Sequence, residues 1–124
     1  MTPKKIALAA CSGMSPHGLV SRVATDDTVT ESDNLISICM GATSADQEGF
    51  RGLIKKYPIV AINGCDAECV NKILAPRCVR PHATINVQEV LKEENLKAND
   101  VSRLDEVGEL CVGAVKKKIK QVLD

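Results

Sequence analysis

The stretch Ile62-Asn63-Gly64-Cys65-Asp66-Ala67-Glu68-Cys69 joins two different sequence patterns. The mostly apolar residues 57–62 predict a buried strand. From Ala67 to Leu74, apolar residues recur at helical spacing instead. Asn and Gly at the junction tolerate the backbone conformations of a tight turn. A strand that turns directly into a helix is typical of α/β proteins.

The same alternation runs through most of the chain. Apolar runs at residues 6–10, 35–40 and 83–87 predict three further strands. Ser15-Pro16 is expected to begin the first helix, and Ser44-x-x-Gln47 is a capping box that is expected to begin another. The element order predicts a three-layer, Rossmann-like α/β fold with a parallel sheet of about four strands. We expect the strand order 2-1-3-4, with 3-2-1-4 as the alternative.

Polar stretches separate the remaining elements. Residues 25–34 are expected to form a fraying helix end and a loop, and residues 88–100 contain a possible short helix. Ser102-x-x-Asp105 is expected to cap a long C-terminal helix, in which acidic residues lie early and lysines lie late, as the helix dipole prefers. Its apolar stripe consists of Leu104, Val107, Cys111, Val115, Ile119 and Val122.

Composition limits the function classes. A length of 124 residues predicts one domain over residues 1–124. Sixteen basic residues balance sixteen acidic ones, and aromatic residues are nearly absent, so nucleic-acid binding is not expected. No apolar run is long enough to cross a membrane, so no membrane association is expected. Because an α/β chain of this size has its own core, we interpret its six cysteines as reduced thiols of a cytoplasmic protein.

Four of the cysteines are expected to meet. Cys11, Cys39 and Cys65 lie at the ends of the first three predicted strands, and Cys69 lies one helical turn after Cys65, on the same face of that turn. The carboxyl ends of parallel strands share one edge of the sheet, where such folds bind ligands. An all-thiolate set suits tetrahedral zinc or an iron–sulfur cluster.

Other roles for the cysteines stay open. Buried packing is one, since cysteine is a common core residue. Thiol-redox or sulfur-handling chemistry is another, with Cys11 and either Cys65 or Cys69 as the reacting thiols. A phosphatase-type loop after Cys11 is disfavoured, because His17 stands where the phosphate-binding arginine would be required. The pattern assigns no catalytic residue. Cys111 lies on an apolar stripe and is expected to pack in the core, whereas Cys78 is a spare thiol in a connecting segment.

Residues around the first cysteine suggest further contacts. The backbone N–H groups of Ser12 and Gly13 could bind a small thiol or an anion. His17 is either an alternative ligand or a solvated helix residue, and His82 is expected in a loop. Asp66 and Glu68 are expected to stabilise a helix N-terminus rather than act as an acid–base pair.

These motifs resemble a known family. Ala10-Cys11-Ser12-Gly13, Cys39 at a strand end, and Asn63-Gly64-Cys65 with Cys69 resemble the zinc-binding family named for its Asp-Gly-Cys motif. The resemblance covers about the first 75 residues. It implies zinc chelation by Cys11, Cys39, Cys65 and Cys69, and no particular reaction or protein partner. Asn63 replaces the family aspartate, so any role of that carboxylate in orienting a ligand would be weakened here.

Overall fold

A four-stranded parallel sheet forms the centre of the molecule in a computed structural model that describes residues 5–99 and 103–124. The strand order is β2-β1-β3-β4, which confirms the predicted order and excludes the alternative. The strands are β1 (Ile6–Ala10), β2 (Leu35–Ile38), β3 (Ile59–Asn63) and β4 (Ala83–Asn86).

Helices cover both faces of this sheet. They are α1 (Pro16–Thr30), α2 (Met40–Ser44), α3 (Glu48–Lys56), α4 (Cys69–Leu74), α5 (Val87–Glu93) and α6 (Glu106–Leu123), and a 3-10 turn (Ala75–Arg77) follows α4. Helix α6 is the long C-terminal helix that the apolar stripe predicts. None of the described helices combines the length and the apolar character that a membrane span requires.

Alternate side chains of the strands supply two apolar cores. Leu8 and Ala10 face a layer formed by α1, α5 and α6, while Ala7 and Ala9 face a second layer formed by α2, α3 and α4. All four side chains are buried. A strand that is covered on both faces needs apolar residues at every position, which explains why β1 is a continuous apolar run rather than an alternating one.

The boundaries of α1, α2 and α3 differ from the sequence prediction. The first helix continues to Thr30 because Thr25 and Thr28 are buried rather than solvated. The second strand ends at Ile38, and Cys39 is the N-cap of α2. The predicted capping box at Ser44-x-x-Gln47 is wrong. Ser44 ends α2, and Gln47 precedes α3 without a side-chain capping bond.

The remaining differences concern α4 and α6. The predicted helix over Ala67–Leu74 begins only at Cys69, because Glu68 adopts a left-handed conformation with φ of 52°. Cys65 therefore lies in the preceding turn, and the expectation that both cysteines share the first helical turn is wrong. At α6, Ser102 lies outside the described residues, and Asp105 is the N-cap, accepting a bond from the Gly108 N–H at 2.7 Å.

Candidate metal centre at the carboxyl edge of the sheet

Three neighbouring strands place cysteines at one edge of the sheet. Cys11 directly follows β1, Cys39 directly follows β2, and Cys65 lies two residues beyond the end of β3. The register pairs Ala9 with Ile38 and Ala10 with Ile62, so the three strand ends are nearly level. Adjacent strands are about 4.8 Å apart. The backbone thus brings these cysteines to one end of the central strands.

Cys11 is anchored by its own backbone. Its N–H donates to the carbonyl of Ile62 at 2.8 Å, which extends the β1–β3 pairing by one bond. Its half-buried side chain contacts the apolar core beneath α2, α3 and α4. The Gly13 N–H lies 3.5 Å from Sγ and donates to it.

Cys39 has an exposed thiol that also accepts a backbone hydrogen bond. As the N-cap of α2, its Sγ accepts from the Ala42 N–H at 3.4 Å. The side chain lines a cavity of about 130 Å³ between the ends of β1 and β2 and helix α1. We call this space the Arg22 cavity; its polar lining residues are Ser12, Arg22, Thr25, Asp26, Ser37 and Cys39.

Cys65 and Cys69 flank the turn between β3 and α4, and hydrogen bonds fix this turn. Cys65 is half-buried, and its carbonyl accepts from the Glu68 N–H at 3.2 Å, whereas Cys69 is exposed at the start of α4. Asp66 accepts a bond from Asn86 Nδ2 at 2.8 Å, which ties the turn to the end of β4. Asp66 thus bonds to β4 rather than to α4, and Glu68 is the N-cap residue of α4 but makes no side-chain capping bond.

Glycines let the turn after β3 approach α1 closely. A Cβ atom on Gly64 would lie 3.4 Å from the backbone N of Gly18 and 3.4 Å from the Cβ of His17. A Cβ on Gly18 would lie only 2.2 Å from the carbonyl oxygen of Gly13. The loop after Cys11, the start of α1 and the loop before Cys65 therefore form one closely packed unit.

The sulfur atoms do not form a closed coordination shell in this conformation. Within residues 5–99 and 103–124, no three cysteine, histidine or acidic side chains lie close enough together to hold a metal ion. Cys11 packs towards the layer of α2, α3 and α4, whereas Cys39 lines a cavity beside α1. All four thiols are reduced, and none is fully buried. The thiol donors therefore suit a thiophilic metal in their chemistry, while their side chains lie apart in this conformation.

The other thiols lie away from this edge. Cys111 is fully buried in the core on α6, which confirms its predicted packing role. Burial raises the pKa of its thiol, and the charge of Asp105 adds to that shift. Cys78 is exposed after the 3-10 turn, with φ of 59°. The His82 N–H donates to the carbonyl of Ile59, so His82 lies at the opposite edge of the sheet.

The sequence patterns did not point to Arg22 and Asp26, which line the Arg22 cavity. Arg22 forms an ion pair with Asp26, in which Nε lies 2.7 Å from Oδ2. The hydrogen bond with Asp26 is the main cause of a raised pKa at Arg22, the Asp26 charge adds to it, and Cys39 contributes a small favourable charge. The sequence feature that could have indicated this ion pair is the i, i+4 spacing of Arg22 and Asp26 in the helix that follows Cys11.

Comparison with known proteins identifies the family. No curated protein and no solved structure matches the chain. The family model described as DGC domain matches residues 7–120, a range that contains all four cysteines and extends well beyond the motifs that carried the resemblance. Both cores and five of the six helices lie wholly within that range. The chain therefore belongs to the DGC domain family.

Proposed function

We propose that this protein binds a thiophilic metal ion, zinc in our assignment, through Cys11, Cys39, Cys65 and Cys69. The observation that carries the proposal is the strand order, since β2, β1 and β3 are neighbours and a cysteine follows each of them. A sheet in which β4 lay between two of these strands would move one cysteine away from the other two. Membership of the DGC domain family agrees with a metal-binding role.

The chemistry of the donors supports zinc over harder ions. Soft thiolate ligands select zinc, copper(I) and iron–sulfur clusters, whereas carboxylate and carbonyl oxygens suit magnesium and calcium. Backbone N–H groups already donate to the sulfurs of Cys11 and Cys39. Hydrogen bonds of this kind support metal-bound thiolates.

Binding would require local rearrangement of side chains. The cysteine side chains can rotate about χ1, and residues 64–68 form an irregular turn rather than part of a helix. Metal sites are rarely preformed in the absence of the ion, so separated thiols in this conformation are compatible with a bound state. When bound, the ion would cross-link the three strand ends and could act as a Lewis acid.

Metal analysis of the whole chain tests the proposal. Untagged protein purified without air should contain one zinc ion per chain by mass spectrometry. Cys65→Ser should lose that zinc, whereas Cys78→Ser, which removes an exposed thiol elsewhere in the fold, should retain it. Equal zinc in both variants would refute the assigned ligands.

Two other outcomes would replace the zinc assignment. Iron accompanied by an equivalent amount of sulfide would indicate an iron–sulfur cluster at the same edge. Metal-free protein whose thiols oxidise in pairs with peroxide would instead favour redox chemistry by Cys11 with Cys65 or Cys69. Peptide mapping of the oxidised pairs identifies the residues that react.

A further inference from the structure

The Arg22 cavity contains a guanidinium group with unused donors. The ion pair with Asp26 uses Nε of Arg22, and the terminal nitrogens make no hydrogen bond to the described residues. Ser12 and Ser37 add hydroxyl groups to the wall, and Cys39 adds a thiol. The wall is thus rich in donors, and its one carboxylate is already paired.

Thr25, a lining residue of the same cavity, carries a buried hydroxyl group with no partner among the described residues. Thr25 is 1% exposed, and its Oγ1 has no hydrogen-bond partner within residues 5–99 and 103–124. Thr28, one turn later in α1, is also buried but bonds its hydroxyl to the Ala24 carbonyl at 2.7 Å. Thr25 therefore does not make the hydrogen bond to a backbone carbonyl of its own helix that Thr28 makes. Leaving a buried hydroxyl unpaired is unfavourable.

Threonine can present this hydroxyl to a ligand. Two χ1 rotamers are accessible to threonine in a helix, and moving between them changes the position of the hydroxyl relative to the cavity. A ligand that accepts a hydrogen bond would satisfy Oγ1 and offset its burial. The Thr25 hydroxyl and the terminal nitrogens of the exposed Arg22 side chain can both donate to such an acceptor.

The volume of the cavity and the charges of its lining residues limit the class of ligand that it can bind. A cavity of about 150 Å³ in another protein holds benzene, so the roughly 130 Å³ here admits a molecule of about six heavy atoms. Asp26 balances the charge of Arg22 and would repel a doubly charged anion. A single negative charge with two acceptor oxygens fits the planar guanidinium group best.

We propose that the Arg22 cavity binds a small, singly charged carboxylate beside the sulfur of Cys39. The terminal nitrogens of Arg22 and the hydroxyls of Ser12 and Thr25 donate to its oxygens. The site does not depend on a metal ion, because none of these three groups is a proposed metal ligand. It would bring a small acid to the candidate metal centre.

Acetate is the probe for the first test. Reduced, chelator-treated full-length protein is titrated with sodium acetate and followed by 1H–15N NMR, with sodium chloride at equal ionic strength as the blank. Saturable shifts are expected at the amides of Ser12, Thr25 and Cys39. Arg22→Gln should weaken binding about tenfold, because it removes a charged donor. Arg51→Gln is the matched control, since Arg51 has the same 61% side-chain exposure and also pairs with an aspartate.

Two results of this titration would overturn the proposal. One is an equal response to acetate and chloride. The other is an unchanged acetate affinity in Arg22→Gln. Tighter binding of phosphate than of acetate at pH 8 would overturn the assignment of a singly charged carboxylate.

Thr25→Val provides the second test, with urea unfolding as the readout. Without acetate, the variant should unfold at a higher urea concentration than the parent protein, because it removes an unpaired buried hydroxyl. Its acetate affinity should fall. Thr28→Val, which removes a bonded hydroxyl, should unfold at a lower urea concentration and bind acetate normally. Reduced stability of Thr25→Val together with unchanged acetate affinity would refute a ligand-binding role.

Discussion

The side-chain oxygen of Asn63 accepts a hydrogen bond from the backbone N–H of Val70 at 3.0 Å. Asn63 ends β3, and Val70 is the second residue of α4, so this bond closes the loop that carries Cys65 and Cys69. Nδ2 of Asn63 also donates to Oδ1 of Asn71 at 2.8 Å. One buried amide thus satisfies two groups of α4, which a carboxylate at the same position could not do without reorienting Asn71.

Removal of the Asn63 side-chain amide should destabilise the loop that carries Cys65 and Cys69. Asn63→Ala leaves the buried N–H of Val70 without its acceptor, and we expect a loss of about 2 kcal/mol in the free energy of unfolding. Asn63→Asp restores the family residue and keeps the acceptor, so its loss should be smaller. Urea unfolding measures both, with the exposed Asn34→Ala as the control. A loss in Asn63→Ala no larger than that of the control would show that the bond contributes little.

Gly18 should not tolerate a side chain. A Cβ would lie 2.2 Å from the Gly13 carbonyl oxygen, so the loop after Cys11 must shift. We expect Gly18→Ala to lower the free energy of unfolding by about 2 kcal/mol. The control is Gly52→Ala at an exposed position of α3, where a Cβ meets nothing within 4 Å and alanine should add about 0.5 to 1 kcal/mol to the free energy of unfolding. Similar stabilities for the two variants would contradict the close approach of loop and helix.

Two cysteines outside the candidate centre should react at very different rates. Burial raises the pKa of Cys111, so little thiolate forms there at pH 8, whereas Cys78 is exposed. Iodoacetamide should modify Cys78 in the folded protein and reach Cys111 only on unfolding, as peptide mass spectrometry would show. Because the folded-state pKa is the higher one, Cys111 favours folding less as the pH rises above the ordinary thiol value of 9.0. Rapid modification of Cys111 at pH 8 would contradict its burial.

Zinc should order the turn between β3 and α4. If Cys65 and Cys69 are ligands, binding should slow hydrogen exchange of the amides in residues 64–70, because opening the turn would then break metal–sulfur bonds. The amides of Cys78, Val79, Arg80 and His82, at the opposite end of the strands, provide an internal reference. Equal protection of both segments with and without zinc would place the ion elsewhere.

Much of the fold could be predicted because burial leaves a local pattern. The continuous apolar run of β1 and the Ser15-Pro16 start of α1 depend on neighbours in sequence, and both are confirmed. The boundaries of α2 and α4 could not be predicted in this way. They depend on bonds to groups that the sequence does not pair, such as the Val70 N–H with Asn63.

The sequence by itself determined the α/β class and the cysteines near the ends of three strands, and it left two strand orders open, because right-handed crossovers leave few arrangements for such a pattern. Only the tertiary structure decided between the two strand orders, placed Cys11 against the layer of α2, α3 and α4, and left Thr25 buried beside Arg22 with no partner among the described residues. Those features depend on how α1 packs against the ends of β1 and β2. Such packing joins residues distant in the chain, and no local periodicity encodes it.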